Sequence, residues 1–209
     1  RDYYEIAAYY DAHLANLFLG ILYEKNTVFY HNYEMSLHFY MLSATKKNLC
    51  ALYHLGSYFS KGDVFDIDLP KAIEYFSECI ETHKDDDNFF QPVEKSLLTK
   101  YDYKKYEYIS SNDLGLIYII EYNDVDKAFK YLKHAAFADY LFAENNLGLF
   151  NEFFAKDRIE NAKYFYEKAS KHNFALSEYN LGRLIENEGK IEESIEYYIK
   201  ASNHEDEPL

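Results

Sequence analysis

Residues 51–62 read ALYHLGSYFSKG, and residues 68–76 follow with DLPKAIEYF. The first stretch contains a Leu-Gly pair that recurs along the chain. Its five copies are Leu19-Gly20, Leu55-Gly56, Leu114-Gly115, Leu147-Gly148 and Leu181-Gly182. A small residue stands five positions before each glycine, and a large apolar residue stands two positions after it. Positions −5, −1 and +2 share one face at 3.6 residues per turn, so the pattern predicts an amphipathic helix in each copy, which we name helix A.

A second pattern follows each copy and predicts a second helix, which we name helix B. A small residue is followed three positions on by an aromatic residue and seven positions on by another small residue. The first small residues are Ser36, Ala72, Ala128, Ala162 and Ser194. Intervals of three and seven again place the side chains on one helical stripe. Glycine inside a helix costs about 1 kcal/mol relative to alanine, so we expect the glycines of helix A to allow a close approach to the backbone of a neighbouring helix.

Together the two patterns predict an all-α fold, an α-solenoid of antiparallel helix pairs, because neither stripe is wide enough to form a core alone. The predicted repeats span residues 11–44, 48–82, 110–137, 140–170 and 175–203. Successive glycines are 36, 59, 33 and 34 residues apart, and the long second interval indicates an insertion at about residues 84–109. Both ends of the chain cut through the pattern. We therefore treat residues 1–209 as one solenoid fragment and expect the natural protein to be longer at both ends.

These repeats resemble the tetratricopeptide superfamily and, within it, the Sel-1-like branch. The resemblance is fullest in the two stretches quoted above and extends over most of residues 11–203. It implies a right-handed superhelix in which helices A line the concave face. In that family, residues at positions −3, +1 and +4 relative to the helix-A glycine often contact a bound peptide.

Carried onto this chain, positions −3 and +1 give seven candidate partner-binding residues. They are Tyr53, Asn112, Leu116, Asn145, Leu149, Tyr179 and Arg183. Asparagine amides suit the backbone of an extended peptide, and leucines suit its apolar side chains. A second interpretation stays open, in which the asparagines only bridge adjacent helices A.

Charge and composition limit the partners. The 36 acidic and 22 basic residues give a formal net charge of −14, which repels phosphate backbones and anionic lipid. We therefore expect protein or peptide partners, no nucleic acid and no direct membrane contact, and the oligomeric state stays open. Cys50 and Cys79 are expected to be buried free thiols. The cytoplasm is the favoured compartment, with the lumen of the endoplasmic reticulum as the alternative.

Catalytic and metal-ligating patterns do not emerge from the sequence. The eight histidines are scattered, and no two of them have the four-residue spacing of a helical zinc site. Neither cysteine has a histidine at a spacing typical of a thiol nucleophile. We predict that the chain is not an enzyme and uses no metal or cofactor.

The leading hypothesis is a scaffold or adaptor that binds a partner segment on the concave helix-A face or through the insertion. The resemblance also allows an interaction arm of a larger enzyme or of a ubiquitin-ligase complex, because Sel-1-like proteins include luminal adaptors in endoplasmic-reticulum quality control. A hydrolase, an activity proposed for some bacterial relatives, is the third alternative, and the sequence offers no nucleophile and base for it.

Overall fold

The computed structural model describes residues 13–25, 32–82, 105–155 and 158–204. Within these ranges the chain forms ten α-helices and no strand. In chain order they are α1 (His13–Lys25), α2 (Tyr33–Ala44), α3 (Leu49–Lys61), α4 (Leu69–Thr82), α5 (Lys105–Ile120), α6 (Val125–Ala136), α7 (Leu141–Phe153), α8 (Ile159–Ser170), α9 (Ala175–Asn187) and α10 (Ile191–Ser202). Odd-numbered helices carry the Leu-Gly pairs and even-numbered helices carry the second pattern. The predicted all-α fold of helix A–helix B pairs is confirmed.

The chain divides into two compact units, Arg1–Leu114 and Gly115–Leu209, which we call unit 1 and unit 2. In unit 1, α1 packs on α2, α2 on α3, and α3 on α4. In unit 2, each helix from α6 to α9 packs on the next one in the chain. The predicted insertion lies outside the described residues as far as residue 104, and α5 begins at Lys105 within its last part.

Local sequence sets the helix ends. At the start of α3, Asn48 Oδ1 accepts a hydrogen bond from the Ala51 backbone N–H at 3.1 Å, and Asp124 Oδ1 does the same for Lys127 at the start of α6, also at 3.1 Å. Such caps satisfy N–H groups that lack a partner in the first turn of a helix. Gly62 ends α3 with a φ of 73°, a left-handed conformation that glycine adopts without steric cost. Helix length is thus fixed before packing decides which helices pair.

The glycines of helix A lie against a side chain of helix B in the same repeat. A Cβ built on Gly148 would lie 2.4 Å from Cε1 of Tyr166, and one built on Gly56 would lie 2.6 Å from Cδ1 of Phe76. The helix-B residue is the fourth after the small residue, and the five are Tyr40, Phe76, Leu132, Tyr166 and Tyr198. A close approach at the glycines is therefore present, but a side chain makes most of it, where we expected the backbone of a neighbouring helix.

Both cysteines are buried free thiols, as predicted. The Cys79 thiol donates to the Leu49 carbonyl oxygen at 3.4 Å and joins the core of unit 1. Burial is the main cause that raises the pKa of the Cys79 thiol to about 12. A thiol with so high a pKa is almost wholly protonated at neutral pH and therefore a poor nucleophile.

Candidate partner-binding surface

In unit 1, the candidate Tyr53 lies among aromatic rings. Its ring centroid is 5.5 Å from that of Tyr106 and 6.1 Å from that of Phe76. The side chain is half-buried and packs against the hydrophobic core of the unit. A partner could therefore reach only part of this ring.

The candidates Asn112 and Leu116 stand one turn apart on α5. Asn112 is 5% exposed, and its Nδ2 donates to Asp113 Oδ1 at 3.1 Å. Burial raises the pKa of Asp113 to about 6, although the Asn112 hydrogen bond and the charge of Lys61 act in the opposite direction. Leu116 is half-buried. The Asn112 amide is therefore engaged within the protein.

Asn145, on α7, joins two helices A. Its side chain is 1% exposed, and its Oδ1 accepts hydrogen bonds from Ser177 Oγ at 3.1 Å and from Asn180 Nδ2 at 2.9 Å, both on α9. Buried polar groups need such partners because an unmade hydrogen bond costs about 1–3 kcal/mol. The Asn145 oxygen is thus used in the way that the second interpretation of the asparagines describes.

Arg183 forms a two-pronged ion pair with Glu152. Its Nη1 and Nη2 donate to Oε1 and Oε2 of Glu152, each at 2.7 Å, so α9 is tied to α7. The Tyr166 hydroxyl of α8 donates to the same carboxylate at 3.0 Å. Parallel N–H···O bonds fix the guanidinium plane as well as its charge. The cation that the sequence suggested for partner binding is therefore held in one orientation.

Exposed aromatic rings flank this ion pair. Phe153 of α7 is 65% exposed, and the guanidinium carbon of Arg183 lies 5.9 Å from its ring centroid. Tyr179, one turn before Arg183 on α9, is 51% exposed. Leu149 is half-buried and packs on the core that Tyr166 and its neighbours form. We define the helix-A surface of unit 2 as Leu149, Phe153, Tyr179 and Arg183.

Unit 1 repeats the glutamate arrangement with a histidine as the cation. Glu24 Oε2 accepts a hydrogen bond from the Tyr40 hydroxyl at 2.7 Å and lies 3.5 Å from Nδ1 of His54 on α3. Burial alone would raise the pKa of Glu24, but hydrogen bonding and charge attraction from His54, with the hydroxyls of Tyr40 and Tyr58, lower it to about 2. Burial alone would lower the pKa of His54, but Cys50 and Glu24 raise it to about 9. The pair is charged at neutral pH.

The glutamate always stands four positions after the helix-A glycine. In the last repeat, Glu186 Oε2 accepts a hydrogen bond from the Tyr198 hydroxyl of α10 at 2.6 Å. The two remaining repeats have neither the glutamate nor the tyrosine, and the residues at these positions are Ser60 with Phe76 and Ile119 with Leu132. The two positions therefore vary together, as expected for side chains in contact. The sequence analysis did not identify this pairing.

Cys50 and His54 also need a correction, because the sequence analysis found no histidine at a telling distance from either cysteine. The two residues are one turn apart on α3, and a side-chain hydrogen bond to Cys50 contributes to the raised pKa of His54. Cys50 is 4% exposed, and the ring of Tyr40 stacks on the imidazole with 4.7 Å between centroids. A thiol, an imidazole and a carboxylate thus meet in a packed interior, where they stabilise α1, α2 and α3 against one another.

The parts of the chain that the structure describes hold no group of three or more histidine, cysteine, aspartate or glutamate residues that could bind a metal ion. Among the helices described above, none is both long enough and apolar enough to cross a membrane.

Comparison with known proteins identifies the fold. No family model and no curated protein sequence matches the chain. Among solved structures, a Sel1 repeat protein from Oxalobacter formigenes is similar with a TM-score of 0.71 and 14% identity, over 94% of this chain and 75% of that one. One structure of MamA has a TM-score of 0.56 and 16% identity over 94% and 97% of the two chains, and another has 0.53 and 19% over 81% and 86%.

The chain therefore has the fold of the Sel-1-like and tetratricopeptide repeat proteins, as the Leu-Gly pattern predicted. Repeat folds of this kind stack helix pairs into extended surfaces that typically bind other proteins. Such folds are typically not enzymes.

Proposed function

We propose that this protein is a non-catalytic scaffold or adaptor that binds a segment of a partner protein on the helix-A surface of unit 2. The observation that carries the proposal is the pair of exposed aromatic rings, Phe153 at 65% and Tyr179 at 51%, on either side of the Arg183–Glu152 ion pair. Tyrosine and arginine are enriched among the residues that dominate binding energy at protein interfaces.

The Glu152 contact prepares Arg183 for such a role. The guanidinium carries five N–H donors, and two of them are used on the Glu152 oxygens. A side chain that is already held loses less conformational entropy when a partner binds it. We therefore expect Arg183 to donate to carbonyl oxygens of a bound segment while Phe153 and Tyr179 cover its apolar side chains.

The other candidates contribute differently to the proposal. Leu149 adds apolar area beside Arg183, and Asn145 sets the spacing between α7 and α9 through its bonds to α9. Tyr53, Asn112 and Leu116 stay predictions from the sequence, because their described surroundings supply no comparable exposed surface.

Affinity purification from the source cell, with binding quantified for each variant, tests the proposal. The double variant Phe153→Ala/Tyr179→Ala should lose the captured partner. Phe137→Ala is the matched control, because Phe137 is a 67% exposed aromatic residue of the same unit outside the helix-A surface. A partner that the double variant retains as well as the control does would contradict the proposal and favour the insertion predicted at residues 84–109.

A further inference from the structure

The last described helix presents an apolar stripe to solvent. Ile191, Ile195 and Ile199 are 52%, 49% and 54% exposed, and their spacing of four residues places them on successive turns of α10. Three half-exposed isoleucines in a row form a continuous apolar strip, which is unusual on a free surface.

The preceding repeats show what packs at this position. Ile195 directly follows the small residue Ser194 of helix B, and Phe129 stands at the same position on α6. The ring of Phe129 contacts that of Phe150 on α7, the following helix A, with 5.5 Å between centroids. In unit 1, Leu37 has the equivalent position on α2 and packs against the core that α3 helps to form. By this correspondence, the α10 stripe is shaped to receive a helix in the position of a following helix A.

The glutamate of the last repeat indicates the charge of that helix. The carboxylates of Glu24 and Glu152 each pair with a cation from the following helix A, His54 and Arg183 respectively. Glu186 has its tyrosine bond to Tyr198, but within the described part of the chain no cation pairs with it. A carboxylate beside an apolar strip is complementary to a helix with a basic side chain next to an apolar one.

We propose that the end surface, formed by Glu186, Ile195, Tyr198 and Ile199, docks an amphipathic helix of a partner protein that carries an arginine followed by an apolar residue. In α9 this role belongs to Arg183 and Leu184, of which the first binds Glu152 and the second is 5% exposed in the core of unit 2. A second copy docked through the same surface would bring two Glu186 carboxylates together, and like charges disfavour that arrangement. The end surface is distinct from the helix-A surface of unit 2.

A peptide with the sequence of residues 175–187 is the probe, because these 13 residues form the helix that already makes the equivalent contacts on α7 and α8. A lactam bridge on its outward face keeps it helical and reduces the ordering cost of binding. Its binding to the whole protein is followed by fluorescence anisotropy. We expect saturable binding, and at least about tenfold weaker binding of the Arg183→Glu peptide, equivalent to about 1.4 kcal/mol.

Two protein variants make the test decisive. Ile195→Asp, at a half-exposed site, should abolish binding and leave the circular dichroism spectrum unchanged. Glu186→Arg should reverse the preference, so that the Arg183→Glu peptide binds more tightly than the original one. Phe153→Ala should leave peptide binding unchanged, which separates this surface from the one under "Proposed function".

Three results would overturn the proposal. They are no saturable binding up to about 1 mM, a value that corresponds to only about 4 kcal/mol; equal binding to the wild-type protein and to Ile195→Asp; and the same peptide preference in Glu186→Arg as in the wild type. A dimer that sedimentation detects in the wild type and not in Ile195→Asp would also overturn it, by assigning the end surface to a second copy of this chain.

Discussion

Replacing Arg183 with leucine should destabilise unit 2 by more than the loss of a surface charge would. The Glu152 side chain is 8% exposed and that of Arg183 is 28% exposed, so the substitution leaves a buried carboxylate without its cation. Removing one partner of a fully buried ion pair costs about 3–5 kcal/mol. Because Arg183 is partly in solvent, which screens the pair, we expect a decrease of about 2–3 kcal/mol in the free energy of unfolding. The melting temperature should fall by about 5–10 °C.

Urea titration followed by circular dichroism measures this change, with the slope of the transition checked for each variant. The double variant Glu152→Gln/Arg183→Leu has no uncompensated charge, so it should cost only about 1 kcal/mol and be more stable than Arg183→Leu alone. The matched control is Lys200→Leu, which removes an exposed cation of α10 and should change stability by less than about 0.5 kcal/mol.

Two outcomes would refute this reasoning. One is a cost for Arg183→Leu as small as that of Lys200→Leu. The other is additivity, in which the cost of the double variant equals the sum of the costs of the single variants Glu152→Gln and Arg183→Leu. Either would mean that the carboxylate is solvated well enough without its cation.

Three further predictions concern stability. Gly148→Ala should lower the free energy of unfolding by about 1–3 kcal/mol despite its higher helix propensity, because the new Cβ would lie 2.4 Å from the Tyr166 ring; a more stable variant in urea titration would contradict this. The pKa of His54 is raised from 6.5 to about 9, so its stabilising contact with Glu24 is fully present below pH 6.5 and is lost as the pH rises through 9; the stability of His54→Gln, measured over this range, should fall less steeply than that of the wild type. The pKa of Asp113 is raised from 3.8 to about 6, so the wild type is penalised as the pH rises through 6; Asp113→Asn should be more stable by about 1–2 kcal/mol at pH 7.5 and not at pH 3.5, and equal stability at pH 7.5 would count against it.

The sequence was sufficient to predict the helix pairs because each repeat states the same pattern independently. Leu147 and Leu181, for example, precede their glycines by one position, and both are buried to 1% exposure or less. A helical stripe depends only on local periodicity, so it needs no knowledge of the partner helix. The boundaries also follow from local chemistry, as the Asn48 cap and the left-handed Gly62 show.

The contacts of the candidate residues depend on how one repeat docks on the next, which periodicity alone does not determine. Arg183 was identified as a cation at a groove position, but its pairing with Glu152 requires the register of α9 on α7. The joint occurrence of tyrosine on helix B and glutamate on helix A was visible in the sequence. It was missed because the helix-B stripe was taken at three and seven positions from the small residue, whereas Tyr166 stands four positions after it.

The tyrosine–glutamate pairing also restricts how such repeats can be rearranged by recombination or design. A module that ends on Glu24 or Glu152 must be followed by one that brings His54 or Arg183, whereas the module with Ser60 makes no such demand on its successor. Modules of this protein are therefore not freely interchangeable, since a shuffled order could strand a carboxylate in an apolar seam. Neighbour compatibility, rather than the quality of each module by itself, would decide which orders fold.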